Sequence, residues 1–207
     1  MASLLVAAVV VLASPLPVQA RSDPGRAAQP EVTHDASGFT ISQDLRVSGS
    51  VRDDYEAAVR LLQRQQYQQG IALLLKVTEA VPDAIPPHID LGIAYGQTGE
   101  FDQAEASLKR ALVIDPGHPI ANNELGMLYR RTGRFAEARA SYEKALELYP
   151  TFHYAHRNLA ILCDLYLQDF NCALQHYDAY REAVPDDPET VKWIADVRGR
   201  AGGPEAP

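Results

Sequence analysis

Reactive side chains are scarce in this 207-residue chain, which has two cysteines and six histidines. Five of the eight, His153, His156, Cys163, Cys172 and His176, share one stretch near the C-terminal end. Thiolates and imidazoles together suggest zinc, which takes four such ligands in a tetrahedron. The spacing argues against it, because this stretch fits none of the paired patterns of zinc fingers or ribbons. A metal-binding module is therefore a remote alternative. There is no Gly-x-Gly-x-x-Gly or Walker loop, no His-Glu-x-x-His and no Gly-x-Ser-x-Gly elbow. The chain reads as non-catalytic, and it calls for no cofactor and no metal.

The elements that carry these residues are set by a repeat. HIDLGIAYGQTGEFDQAEASLKRALVIDP is nearly restated as NNELGMLYRRTGRFAEARASYEKALELYP. Leu91, Gly92, Tyr95, Gly99, Phe101, Ala104, Ala111 and Pro116 recur 34 residues later as Leu125, Gly126, Tyr129, Gly133, Phe135, Ala138, Ala145 and Pro150. A fixed period of this size marks a solenoid. Leu91, Gly92 and Tyr95 share one face of a first helix, and Ala104, Leu108 and Ala111 share one face of a second. Small residues at Gly92 and Ala104 let the two helices approach closely. The proline closes each unit, since it cannot continue a helix interior.

The Leu-Gly-x-x-Tyr, Ala, Phe/Tyr, Ala and Pro signature resembles that of the tetratricopeptide repeat (TPR) family. That resemblance implies an all-α, right-handed TPR solenoid of helix-turn-helix repeats. Outward extension at the same period predicts four of them: 51–84, 85–118, 119–152 and 153–187. The first is degenerate, with Ala58 and Leu61 at the Gly and Tyr positions. The fourth has one residue inserted within Leu165–Asp169. Residues 188–199 contain a last amphipathic helix, expected to cap the open apolar face. Residues 200–207 read as a disordered tail.

Residues 1–20 carry no charged side chain, and Leu4–Ala13 is too short an apolar run to span a bilayer. With Val18-Gln19-Ala20 as a small-x-small site, they read as a signal peptide cut after Ala20. The usual basic residue before the apolar run is missing. Residues 21–50 read as a disordered or extended N-terminal arm, with 39–47 weakly alternating. The chain carries net charge −8. That argues against nucleic acid, whose phosphates need a basic surface. After signal cleavage no integral membrane segment is expected, and the location predicted is periplasmic.

Cys163 and Cys172 fall on facing helices of the fourth repeat, across a short turn. An even count and an oxidising compartment favour a disulfide between them. Two buried thiols acting as small apolar residues are the alternative.

In TPR superhelices the first helix of each repeat lines a concave groove. Carried over by position, that groove here holds Arg52, Tyr55, Val59 and Leu62 from the first repeat. Ile89, Ile93 and Gln97 follow, then Asn123, Met127, Arg130 and Arg131, then Tyr154, Arg157, Asn158 and Ile161. Tyr55, Val59 and Met127 replace parts of the carboxylate clamp of chaperone-binding family members. The arginines and asparagines are expected to hold the backbone or an acidic group of an extended segment. The expected partner is a protein or peptide of the cell envelope, and the expected role is an adaptor or scaffold. The alternative is an envelope or pilus assembly scaffold acting through its convex face or by oligomerisation. Phe39–Arg64 and the closing LCDLYLQDFNCALQHYDAYREAVPDDPETVKWIADVRGR resemble exported bacterial TPR proteins that accompany TonB-type energy-transduction systems. That resemblance implies a place in such an envelope complex.

Overall fold

One hydrogen bond, made three times, locks each repeat to the next. His88 Nε2 lies 2.9 Å from the Pro82 carbonyl, Asn122 Nδ2 3.1 Å from that of Pro116, and His156 Nε2 2.7 Å from that of Pro150. Each donor sits six residues past a repeat-closing proline, in the first turn or two of the following helix. The bond satisfies a carbonyl that no helix can use, so the 34-residue spacing fixes both the helices and their junctions.

The computed structural model describes residues 31–35, 38–42, 47 and 49–202. Four helical hairpins follow one another: α1 (Ser50–Gln63) with α2 (Tyr67–Ala80), α3 (Ile85–Thr98) with α4 (Phe101–Ile114), α5 (Pro119–Arg131) with α6 (Phe135–Leu148), and α7 (His153–Leu162) with α8 (Phe170–Ala183). A final helix, α9 (Pro188–Ala201), packs on α8. The solenoid is all-α. Before it, β1 (Glu31–Asp35) and β2 (Gly38–Ser42) pair antiparallel, Glu31 opposite Ser42. The composition of residues 21–38 predicts no order there, so β1 departs from expectation, whereas β2 falls almost wholly in the weakly alternating stretch 39–47. Helix α9 runs on to Ala201, two residues into the stretch 200–207 expected to be a disordered tail, because Arg200 is held by Asp164. The signal-peptide reading of residues 1–20 and the rest of that tail, 203–207, lie outside the described residues.

Small residues set the helix spacing. A Cβ on Gly92 would fall 2.5 Å from Leu108 Cγ, and one on Gly126 2.5 Å from the Tyr142 ring. The hairpin turns end in a left-handed residue, Gly99 at φ 84° and Gly133 at φ 77°. The inserted residue of the fourth repeat does not lengthen a loop. It is absorbed as a π-helical segment, Cys163–Leu167, that ends at a left-handed Gln168. One-residue insertions commonly enter helices this way.

Helices α1, α3, α5 and α7 touch in succession, whereas α2, α4, α6 and α8 make no comparable contact among themselves. The first helices therefore line the inner side of the curve. Buried aliphatic and aromatic residues run continuously between the layers, from Ile85 and Leu108 through Leu125 and Tyr142 to Leu159, Tyr177 and Ile194.

Candidate functional site

The inner face brings together side chains from every first helix. Tyr55 on α1 is buried and donates its hydroxyl to Asp90 Oδ2 on α3, 2.7 Å away. Further along, Asn158 Nδ2 on α7 donates to Asn123 Oδ1 on α5 at 2.9 Å. Asn123 Nδ2 lies 3.3 Å from Glu124 Oε1. Of the groove residues expected from sequence, Tyr55, Ile89, Asn123 and Asn158 are buried. They tie neighbouring helices together instead of standing open. Val59, Ile93 and Met127 are half-buried, and Gln97 is exposed.

The arginines depart most from the expected groove. Arg130 lies over the Tyr166 ring, 5.8 Å from its centroid, and its Nε is buried without an acceptor. Arg131 donates to the Gly96 carbonyl at 2.8 Å and covers the Phe101 ring. Arg157 reaches the Tyr180 hydroxyl on α8. Arg130 and Arg157 thus meet different aromatic side chains. Tyr154 stacks on His153, ring centroids 4.0 Å apart.

What occupies the middle of the face is acidic. Asp90 is 9% exposed, and burial lifts its carboxyl to about 6 against the Tyr55 bond that opposes it. Burial likewise raises Glu124 to about 7, Asn123 opposing and the Asp90 charge adding to the rise. The sequence reading passed over both residues, which stand one position beyond those singled out as groove-lining. Their 34-residue separation was the available signal. Between α3 and α5 lies a cleft lined by Gly92, Ile93, Gly96, Gln97, Leu108, Glu124, Met127, Leu128 and Arg131.

In the fourth repeat, Cys163 and Cys172 form a disulfide with Cα atoms 5.9 Å apart. Asp169 lies close to both sulfurs, but sulfurs bonded to each other offer no thiolate to a metal. His156 Nδ1 and His176 Nδ1 are 2.9 Å apart. Because His156 Nε2 faces the Pro150 carbonyl, it carries the proton there, and His176 is the donor between the rings. Burial lowers both, and the His156 charge lowers His176 further, to about 4. His153 is buried on α7, stacked between Tyr154 and Tyr180. The clustered histidines and cysteines are spent on structure.

With this geometry established, comparison with known proteins places the repeats. The tetratricopeptide repeat family matches residues 89–151. Anaphase-promoting complex subunit 3 of Dictyostelium discoideum is 42% identical over 62 residues, 30% of this chain and 6% of that protein. Among solved structures, PilF of Pseudomonas aeruginosa is similar with TM-score 0.67 at 22% identity, covering 73% of this chain and 69% of that one. A MamA RS-1 double mutant matches with TM-score 0.65 at 15% identity, covering 76% and 88%. The first TPR domain of RPAP3, bound to the HSP90 peptide SRMEEVD, matches with TM-score 0.52 at 20% identity, covering 55% and 90%. At these identities the likeness is one of fold: four TPR hairpins and a terminal helix. Among the described residues, no helix is long and apolar enough to cross a membrane.

Proposed function

We propose that this TPR protein is a non-catalytic adaptor that holds an extended segment of a partner protein on its inner face. The observation that carries the reading is the cleft between α3 and α5. It is lined from these two first helices by Gly92, Ile93, Gly96, Gln97, Met127 and Arg131. Apolar walls with a few polar groups suit a peptide whose alternate side chains seek pockets. The RPAP3 complex is a case of the same fold holding a peptide. The signal-like residues 1–20 support export to the periplasm. The likeness to exported TPR proteins of TonB-type systems supports a place in an envelope energy-transducing complex.

A second reading has its own observation. Val113 and Leu148 on the outer helices α4 and α6 are 69% and 65% exposed, as an assembly scaffold using its convex face would require. One experiment separates the two. A photo-crosslinking residue is placed at Gln97 or Met127 on the inner face, and at Val113 or Leu148 on the outer, in the protein expressed with its own leader. A discrete adduct from the inner positions alone, with a mature chain beginning at Arg21, is the expected result. Adducts from the outer positions alone would replace the adaptor reading with the scaffold one, and a retained leader would remove the periplasmic assignment.

A further inference from the structure

Half-buried carboxylates elsewhere in this chain are matched by cations. Glu105 accepts from Arg134 at 2.6 Å, from Lys109 at 2.7 Å and from Tyr129 at 3.0 Å. Buried Asp164 accepts from Arg200 and Tyr177. Glu124 and Asp90 differ. Each accepts from one neutral donor, Asn123 and Tyr55, and among the described residues no ion pair reaches either. A cation does line the same cleft, but the Arg131 guanidinium is held by the Gly96 carbonyl and the Phe101 ring. An anion between apolar walls without a counter-charge is costly to keep.

Two glycines that line the cleft give an independent sign. Glycine inside a helix costs about 1 kcal/mol relative to alanine. Gly92 has an internal reason, since Leu108 fills its space. Gly96 has none, because a Cβ there would meet only Arg131 Nη1, at 3.9 Å. The fold does not need Gly96 bare, whereas an occupant of the cleft would.

We infer that the cleft between α3 and α5 takes a lysine or arginine side chain of the bound segment, its stem over Gly96 and Met127 and its cation against Glu124. The inference rests on the reading that the inner face binds a partner segment. A basic side chain fits better than a metal ion, which would need six or more oxygen ligands where this cleft offers mostly carbon. It also reverses the partner charge expected from the arginines. In a chain of net charge −8, a basic partner is drawn by the whole field as well as by the pocket.

Four acetylated, amidated peptides test this, identical in a leucine–serine frame and carrying lysine, arginine, norleucine or glutamate at the centre. Fluorescence anisotropy with the full chain should give the two basic peptides at least tenfold tighter binding than norleucine, and the glutamate peptide the weakest. Glu124→Gln should erase the preference for the basic peptides while leaving the norleucine affinity in place. Gly96→Leu, which fills the cleft in a helix that tolerates leucine, should weaken the basic peptides at least tenfold with circular dichroism unchanged. Equal affinity for the lysine and norleucine peptides, lysine preference surviving in Glu124→Gln, or no binding by any of the four would overturn the inference. The crosslinks from Gln97 and Met127 use none of these peptides, so they decide separately whether the face binds a segment at all.

Discussion

Glu105 and Glu124 show how one residue type takes opposite states from its neighbours. Burial pushes Glu105 up, but bonds from Lys109, Arg134 and Tyr129 outweigh it and bring the carboxyl down to about 2. Glu124 has no such donors and rises to about 7. A raised carboxyl means that the folded chain holds the proton more tightly than the unfolded one. Stability from this group therefore grows as pH falls from about 7 toward its ordinary 4.5, and is lost again as pH rises. Glu124→Gln removes the ionised form, so it should be the more stable protein at pH 8, by on the order of 2 kcal/mol. The gain should shrink through neutrality and vanish near pH 4.5. His118 and His176, both lowered to about 4 by burial, work in the opposite sense as pH falls below 6.5. They are present in both proteins and cancel in the comparison. Around Glu124 stand Asp90 on α3, Arg131 on α5 and Tyr142 on α6, and these too are unchanged. Urea unfolding of both proteins at the two pH values checks it. A variant less stable at pH 8 would mean that Glu124 has a cation partner in solution.

The helices were legible because the period is written in residues whose size matters. Gly92 against Leu108 and Gly126 against Tyr142 are packing constraints that recur at 34. The junctions were legible in principle too, since His88, Asn122 and His156 share the period with Pro82, Pro116 and Pro150. What the pattern could not convey is which neighbour a polar side chain meets. Asn123 and Asn158 stand 35 residues apart on successive first helices, yet their bond to each other depends on the angle between α5 and α7. The repeat also shows where the chain departs from its own rule. At the left-handed turn position, repeats two and three have Gly99 and Gly133, while repeats one and four have Gln65 at φ 60° and Gln168 at φ 54°. A side chain in that conformation costs roughly 1–2 kcal/mol, part of which glycine returns through its freer unfolded state. Gln168→Gly should therefore stabilise the protein by about 0.5–1 kcal/mol in chemical unfolding. A loss of stability would show that the Gln168 side chain holds the turn by contacts of its own.

At the scale of the molecule, a solenoid distributes its stability along one dimension, each hairpin leaning on its neighbours. Three core clusters among the described residues reflect this: one joins α1, α2 and α3, a second runs from α3 to α9, and a small third, Ala145, Phe152 and Ala155, sits where α6 meets α7. The sequence announced the cap as an amphipathic stretch, but not what it covers. Ile194 and Val197 are buried against the fourth repeat, the Trp193 ring lies 5.6 Å from that of Tyr177, and Arg200 reaches back to Asp164. Ile194, 2% exposed, is the anchor, and truncating such a residue to alanine typically costs 2–5 kcal/mol. If the stability is a sum of nearest-neighbour terms, that loss should stay local. Ile194→Ala should therefore reduce amide-exchange protection in α7, α8 and α9, where the cap and the disulfide-linked hairpin rest on one another. Protection in α1 and α2 should remain as in the unaltered chain, because no core residue they share reaches the cap. Hydrogen exchange read by mass spectrometry resolves the two ends. An equal loss in every helix would show that the hairpins unfold as one cooperative unit, and that the inner groove is held rigid from end to end by a helix well away from the cleft between α3 and α5.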